Sequence, residues 1–170
     1  MTIRKARPCD LPRILEIYKR ARAFMAETGN PRQWGDVWPP EELVRQDIEE
    51  GYCHVLEDGP ESRIEAVFYY RFFPDPGHGD ETYRVIYDGA WEDDSPYGVV
   101  HRIASSGDVK GAGAFCIRWA AGESGHLRMD THGDNQVMQR LLTKLGFRYC
   151  GVIYVVEDND PRLAYEYLPR

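Results

Sequence analysis

Val109-Lys110-Gly111-Ala112-Gly113-Ala114-Phe115 is the stretch on which the fold reading turns. A β-rich run, Val99 to Ala104, lies upstream, and Ala112 to Ala121 predicts a helix downstream. A glycine-rich turn running from a strand into a helix leaves the first backbone N–H groups of the helix without partners and aimed at one spot, where a pyrophosphate can accept them. Glycines let a ligand approach the backbone closely. Lys110 adds a cation at the rim, and the helix dipole favours an anion by roughly 0.3–1 kcal/mol. On these residues alone, a turn that merely packs is the other reading. Two further phosphate motifs fail here. A P-loop needs its lysine after the glycines, whereas Lys110 precedes them, and the dinucleotide fingerprint needs a third glycine where Cys116 stands.

Working outward, strands and helices alternate. Ile3 to Ala6 reads as an opening strand, and Asp10 as the N-cap of a helix with Leu11, Ile14, Tyr18, Ala21 and Met25 at helical spacing, closed by Gly29-Asn30-Pro31. Glu41 to Glu50 predicts a second helix, entered through Pro39-Pro40 and stopped by Gly51, with Leu43, Val44 and Ile48 on its inner side. The loop between them, Gln33 to Trp38, is rich in aromatics. Tyr52 to Leu56 and Arg63 to Phe73 form a hairpin around Asp58-Gly59-Pro60, and Thr82 to Trp91 predicts another strand with Tyr83, Val85 and Tyr87 on one face. Past the glycine turn come a strand at His126 to Asp130, a helix at Asn135 to Leu145 that Asp134 can cap, and strands at Tyr149 to Val156 and Leu163 to Leu168. No repeat, low-complexity tract or interdomain linker interrupts the series.

A chain of 170 residues, 42% hydrophobic and 29% charged, suits one globular domain with a core of its own. The formal net charge of −7 argues against non-specific binding to nucleic acid or an anionic membrane, since such affinity comes from clustered Lys and Arg. No apolar segment is long enough to span a bilayer and Met1 to Ala6 has no signal-like core, which points to the cytoplasm. Cys9, Cys53, Cys116 and Cys150 lie far apart and read as reduced thiols, and His126 and His132 lack metal-ligand spacing, so no metal is expected.

Taken with its surroundings, the segment resembles the coenzyme A signature of the GNAT superfamily of N-acyltransferases, aligned as Lys110 to Phe115, with Lys110 at the Gln or Arg position and Phe115 in place of a small residue. A second resemblance lies downstream, where Asn135 opens a helix ending in Lys144-Leu145-Gly146-Phe147, like the family's Asn followed by a K-x-G-F element. With the opening strand and helix, the resemblance covers essentially the whole chain. Tyr97 to Ala104 and Asp130 to Asn135 are also similar to a bacterial subgroup known only as acetyltransferases. It implies an α/β (α+β) fold over residues 1–170, with a central mixed, mostly antiparallel sheet of about seven strands flanked by about four helices. It further implies acetyl-CoA as co-substrate, a small-molecule amine or amino-acid derivative as acceptor, and room for a homodimer. A coenzyme A-binding sensor without catalysis and a non-enzymatic interaction domain are the competing function classes.

The resemblance places Ile103, Ser105, Lys110, Gly111, Ala112, Gly113, Ala114, Phe115 and Asn135 at the coenzyme, and Trp34 and Trp38 at the acceptor entrance. Asp36, Glu41 and Glu42 would there favour a cationic amine, or else form a solvated acidic face. Many members place the acid that protonates the departing thiolate at the position of Leu142, which cannot serve, so either another donor or solvent does, and Tyr149 and Tyr154, nearby in sequence, are the candidate donors. Some members place a basic carboxylate where His101 stands. An alkylammonium must lose a proton to become a nucleophile, and histidine titrates near neutrality, which makes His101 the candidate base. By a strand's two-residue period, His101, Ile103 and Ser105 share a face. Cys116 and Cys150 could carry a thioester, but a buried inert thiol is the default, so direct attack by the amine is expected.

Overall fold

The computed structural model describes residues 1–169. In chain order the elements are β1 (Thr2–Lys5), α1 (Leu11–Glu27), α2 (Glu41–Glu49), β2 (Cys53–Asp58), β3 (Arg63–Phe73), β4 (Tyr97–Ser105), α3 (Ala112–Ser124), β5 (Leu127–Thr131), α4 (Gln136–Lys144), β6 (Arg148–Tyr154) and β7 (Pro161–Tyr167). The strands form one seven-stranded sheet in the order β1-β2-β3-β4-β5-β7-β6. The pairs β1–β2, β2–β3, β5–β7 and β6–β7 are antiparallel. β4 and β5 are parallel, which requires a crossover, and α3 supplies it. This is the mixed α/β architecture the sequence implied. No helix among the described residues is long and apolar enough to cross a membrane.

The chain divides into two compact units. The first comprises Met1–Tyr70 and His101–Ile117, and the second Arg71–Val100 and the chain from Arg118 onward. In the first, Leu11, Ile14, Ile17 and Tyr18 recur at helical spacing along α1 and bury against Val44 and Ile48 of α2 and Val55, Ile64 and Val67 of the sheet. Each such side chain stabilises the fold by about 1.5–3 kcal/mol. Asp10 departs from its expected role. Its carboxylate turns back to the Arg7 amide (2.7 Å) and the Arg4 guanidinium (2.7 and 3.1 Å) rather than to the amides of α1.

In the second unit Phe73, Tyr83, Tyr97, Val99, Ile153 and Ala164 make the core. The strand expected over Thr82 to Trp91 does not form. Asp80 accepts from the Thr82 amide at 2.9 Å and starts a short 3-10 turn, Glu81–Tyr83, that delivers Tyr83 into the core, where its hydroxyl donates to Asp130 at 2.6 Å. Further along, Asp88 takes a left-handed φ of 53° and Trp91 stacks on the Arg128 guanidinium at 4.3 Å. Side-chain demands thus overrode the alternating pattern, and Val85 and Tyr87 end up exposed.

What remains of pairing in this segment is a bridge between Tyr87 and Val152 on the free side of β6, with both backbone bonds at 2.8 Å. Two glycines allow that approach. A Cβ on Gly89 would lie 1.9 Å from the Cys150 carbonyl oxygen, and one on Gly151 would lie 2.5 Å from that of Tyr87. α4 is capped by Asn135, whose side chain accepts from the Met138 amide at 3.0 Å, so the capping expected of Asp134 falls to its neighbour.

Candidate active site

The glycine turn is anchored at its start. Ser106 follows β4 and is buried, its amide donating to the Glu65 carbonyl at 2.8 Å. Its hydroxyl donates to the Glu65 carboxylate and accepts from the Asp108 amide at 3.0 Å. Asp108 receives the Arg20 guanidinium as a fork, both bonds 2.8 Å, and these bonds hold its carboxyl below the usual range. Glu65, itself buried, lies 3.4 Å from Arg63 and 3.6 Å from Arg13. A serine, an aspartate and a buried glutamate therefore fix where the turn begins.

Beyond these anchors the backbone is open. Gly111 has φ of 82°, a left-handed conformation that suits glycine, and a Cβ there would meet no protein atom within 4 Å beyond its chain neighbours. Its carbonyl accepts the Phe115 amide at 3.0 Å, which makes Gly111 the N-cap and leaves the amides of Ala112, Gly113 and Ala114 ahead of the first intrahelical bond. Lys110 is exposed beside them. Of the residues expected at the coenzyme, Phe115 has its amide already engaged by the Gly111 carbonyl, and the residue is 38% exposed.

In β4, His101 is half-buried with its ring 5.8 Å from that of Tyr69. Ile103 and Ser105 are also half-buried. The alternation expected to place these three on one face is interrupted, because Arg102 between them has a left-handed φ of 51°. The Arg102 guanidinium forks onto Asp47 with both bonds at 2.9 Å and lies 4.6 Å over the Tyr69 ring. Its carbonyl accepts the Tyr18 hydroxyl at 2.8 Å. Burial raises the Asp47 carboxyl against the pull of Arg102, and it raises the Tyr18 hydroxyl well above its ordinary value.

Trp34 packs edge-on against Tyr18 at 5.7 Å and joins the core of this unit. Trp38 is half-buried, and its carbonyl accepts from Arg22 at 3.1 Å. Asp36, Glu41 and Glu42 are exposed, and Glu41 is engaged by Arg45 at 2.6 Å. Thus His101, Ile103, Ser105, the turn and both tryptophans belong to the first unit. The second unit holds the remaining candidates. Asn135 serves as the α4 cap, and Tyr149 lies exposed with its ring 5.9 Å from that of Tyr165. Tyr154 lies edge-on to Tyr87 at 5.3 Å in the wall of a groove of about 360 Å³, together with Thr82, Val85, Val156 and Asn159. The two tyrosines sit apart along β6.

Leu142 is fully buried in α4, a packing residue. The Cys116 and Cys150 thiols are both pushed up to about 12, chiefly by burial, which disfavours a thiolate intermediate. Sequence reasoning missed the Asp47–Arg102 pair. One signal was available: Asp47 sits on the inner face of α2 between Val44 and Ile48, and a carboxylate on a buried stripe demands a cation.

No family model and no curated protein matches the chain. Among solved structures it is similar to a GNAT family acetyltransferase from Streptococcus agalactiae, with 32% identity over 99% of this chain and 95% of that one and a TM-score of 0.82. It shares its fold with a GNAT family acetyltransferase from Listeria monocytogenes (20% identity, 98% and 93% covered, TM-score 0.67). It does so also with a GNAT superfamily phosphinothricin acetyltransferase from Sinorhizobium meliloti in complex with AcCoA (16% identity, 98% and 86% covered, TM-score 0.62). The likeness to the streptococcal protein runs nearly end to end at 32% identity, and the turn and crossover helix described above sit on that shared frame, so the chain belongs to the GNAT family of acetyltransferases.

Proposed function

We propose that the chain, acting as one domain over residues 1–170, transfers an acetyl group from acetyl-CoA to the amine of a small molecule or amino-acid derivative, in the cytoplasm and without a metal. The observation that carries this reading is the pinned turn at Ser106 to Gly111. It opens onto the first-turn amides of α3, and a Cβ added at Gly111 would meet no protein atom within 4 Å beyond its chain neighbours. Amides, helix dipole and Lys110 together suit the pyrophosphate of coenzyme A. The acetyl-CoA held by the Sinorhizobium protein, which shares the fold, supports the same donor.

In this reaction the neutral amine nitrogen attacks the thioester carbonyl, His101 takes the amine proton directly or through a water, and the C–S bond breaks. The departing thiolate takes a proton from Tyr154 or Tyr149. A thiol leaving group with a pKa of about 8.5 needs only modest help near neutral pH. Direct attack is supported by the high thiol values of Cys116 and Cys150. Trp34 and Trp38 are the proposed neighbours of the acceptor. The test is calorimetric titration with acetyl-CoA followed by a free-thiol release assay across an amine panel. Binding with amine-dependent thiol release is expected, whereas binding without release from any amine would identify a sensor, and no binding would remove the coenzyme altogether.

A further inference from the structure

Arg102 is a long-chained residue in the interior of a strand, yet it takes a conformation in which an L-residue's Cβ crowds the following carbonyl. Such conformations persist only where the surroundings over-determine them, and they cluster at functional sites. Here three elements hold the residue. α2 supplies the Asp47 carboxylate to the guanidinium, α1 supplies the Tyr18 hydroxyl to the carbonyl, and β3 supplies the Tyr69 ring beneath the guanidinium. The ion pair is nearly closed to solvent, with side-chain exposures of 13% and 8%. Burying two charges for stability alone is a poor device, since a well-packed apolar pair generally serves as well or better.

We propose that Asp47, Arg102 and Tyr18 are positioning residues for acyl transfer. They hold β4 kinked at Arg102, so that His101 before the kink, and Ile103 and Ser105 after it, face the directions the reaction needs. The proposal rests on the function given above. A strand's side chains change face with every residue, so relaxing the kink into regular extension would turn the run from Ile103 to Ser105 relative to His101. The coenzyme turn has separate anchors in Glu65 and Arg20. Losing the clamp should therefore reduce turnover by a larger factor than acetyl-CoA affinity, because the turn keeps its hold on the coenzyme while Ile103 and Ser105 shift.

Two double variants separate the kink from the charges. Asp47→Asn with Arg102→Gly and Asp47→Asn with Arg102→Ala both remove the pair without stranding a buried charge, but only glycine takes a φ of 51° freely. Folding is checked by melting, acetyl-CoA affinity by calorimetry and kcat by thiol release. In both variants the acetyl-CoA Kd should rise by no more than about tenfold, since Ile103 and Ser105 supply only part of the proposed coenzyme contact. The alanine variant should turn over roughly 10- to 100-fold more slowly than the glycine variant, as expected for small misplacements of reacting groups. Should the alanine variant not fold, Tyr18→Phe releases the Arg102 carbonyl alone, and kcat should then fall by a larger factor than acetyl-CoA affinity. Equal kcat in the two double variants, or loss of turnover matched by loss of affinity, overturns the proposal alone. A parent that binds acetyl-CoA yet never releases thiol overturns it together with the function.

Discussion

Gly111 offers a perturbation whose effects on stability and on binding separate. Its φ of 82° costs an alanine about 1–2 kcal/mol in the folded state. An added Cβ would meet no protein atom within 4 Å beyond its chain neighbours, so backbone strain and not collision sets the loss. For a domain of this size that corresponds to a fall in Tm of roughly 2–8 °C. Asparagine enters the left-handed region more readily, so Gly111→Asn should lose only part of that. Coenzyme affinity follows a different rule, because either side chain fills open space beside the amides proposed to hold the pyrophosphate. Kd for acetyl-CoA should rise at least about tenfold in both variants, about 1.4 kcal/mol. Gly111→Asn is the informative one, nearly as stable as the parent and much weaker in binding. Calorimetric titration paired with thermal melting measures both quantities, and a well-folded Gly111→Asn protein with the parent's Kd would refute the placement of the coenzyme at this turn.

Lys110→Ala should weaken acetyl-CoA binding less than Gly111→Asn does, and the loss should shrink in high salt because the lysine is exposed; a salt-independent loss would mean a different role. His101→Ala should lower turnover by roughly 10²–10⁴ and remove the acidic limb of the pH–rate profile, and retention of both the limb and the rate would make the histidine structural. Glu166 sets an acid limit on stability. Burial pushes its carboxyl up, but His126, the Glu92 amide and Arg128 outweigh burial and hold it below the ordinary value. Its stabilisation is complete above about pH 4.3 and disappears as pH falls through the lowered folded value. Glu166→Gln should flatten that part of the acid-unfolding curve, and it should cost about 3–5 kcal/mol at neutral pH by leaving Arg128 without its carboxylate. An unchanged acid midpoint would count against this account. With thiols at about 12, Cys116 and Cys150 should resist alkylation at pH 8 in the folded protein, and rapid labelling of either would reopen a covalent mechanism.

The elements that periodicity and punctuation specify were legible. α1 and α2 carry apolar residues at helical spacing and end at Gly29 and Gly51, and β3 matches its expected span. The failures came where a side chain rather than a pattern decided. Tyr83, Val85 and Tyr87 alternate as a strand should, but Asp80 opens a turn and Tyr83 is drawn toward Asp130, a residue 47 positions away that no local pattern can announce. Arg102 is the sharper case. The shared face expected of its neighbours His101, Ile103 and Ser105 came from counting along β4, and counting assumes an extended backbone that Arg102, held by Asp47 and Tyr18, does not adopt. The glycine turn was readable because its chemistry lies in contiguous residues, whereas its anchors, Arg20 and Glu65, lie far away along the chain.

The covering of β6 bears on how copies of this chain could assemble. A strand at the end of a sheet presents a row of unsatisfied amides and carbonyls on which another molecule can template itself. Where Tyr87 pairs with Val152 and Gly89 lies against the Cys150 carbonyl, that row is occupied from within the chain. The strand order leaves β1 as the other terminus, with the charged Arg4 and Lys5 upon it. Among the described residues, two molecules that joined through β1 would use the sheet end this chain leaves open and would find β6 already paired at Val152, which disfavours continued growth by strand addition.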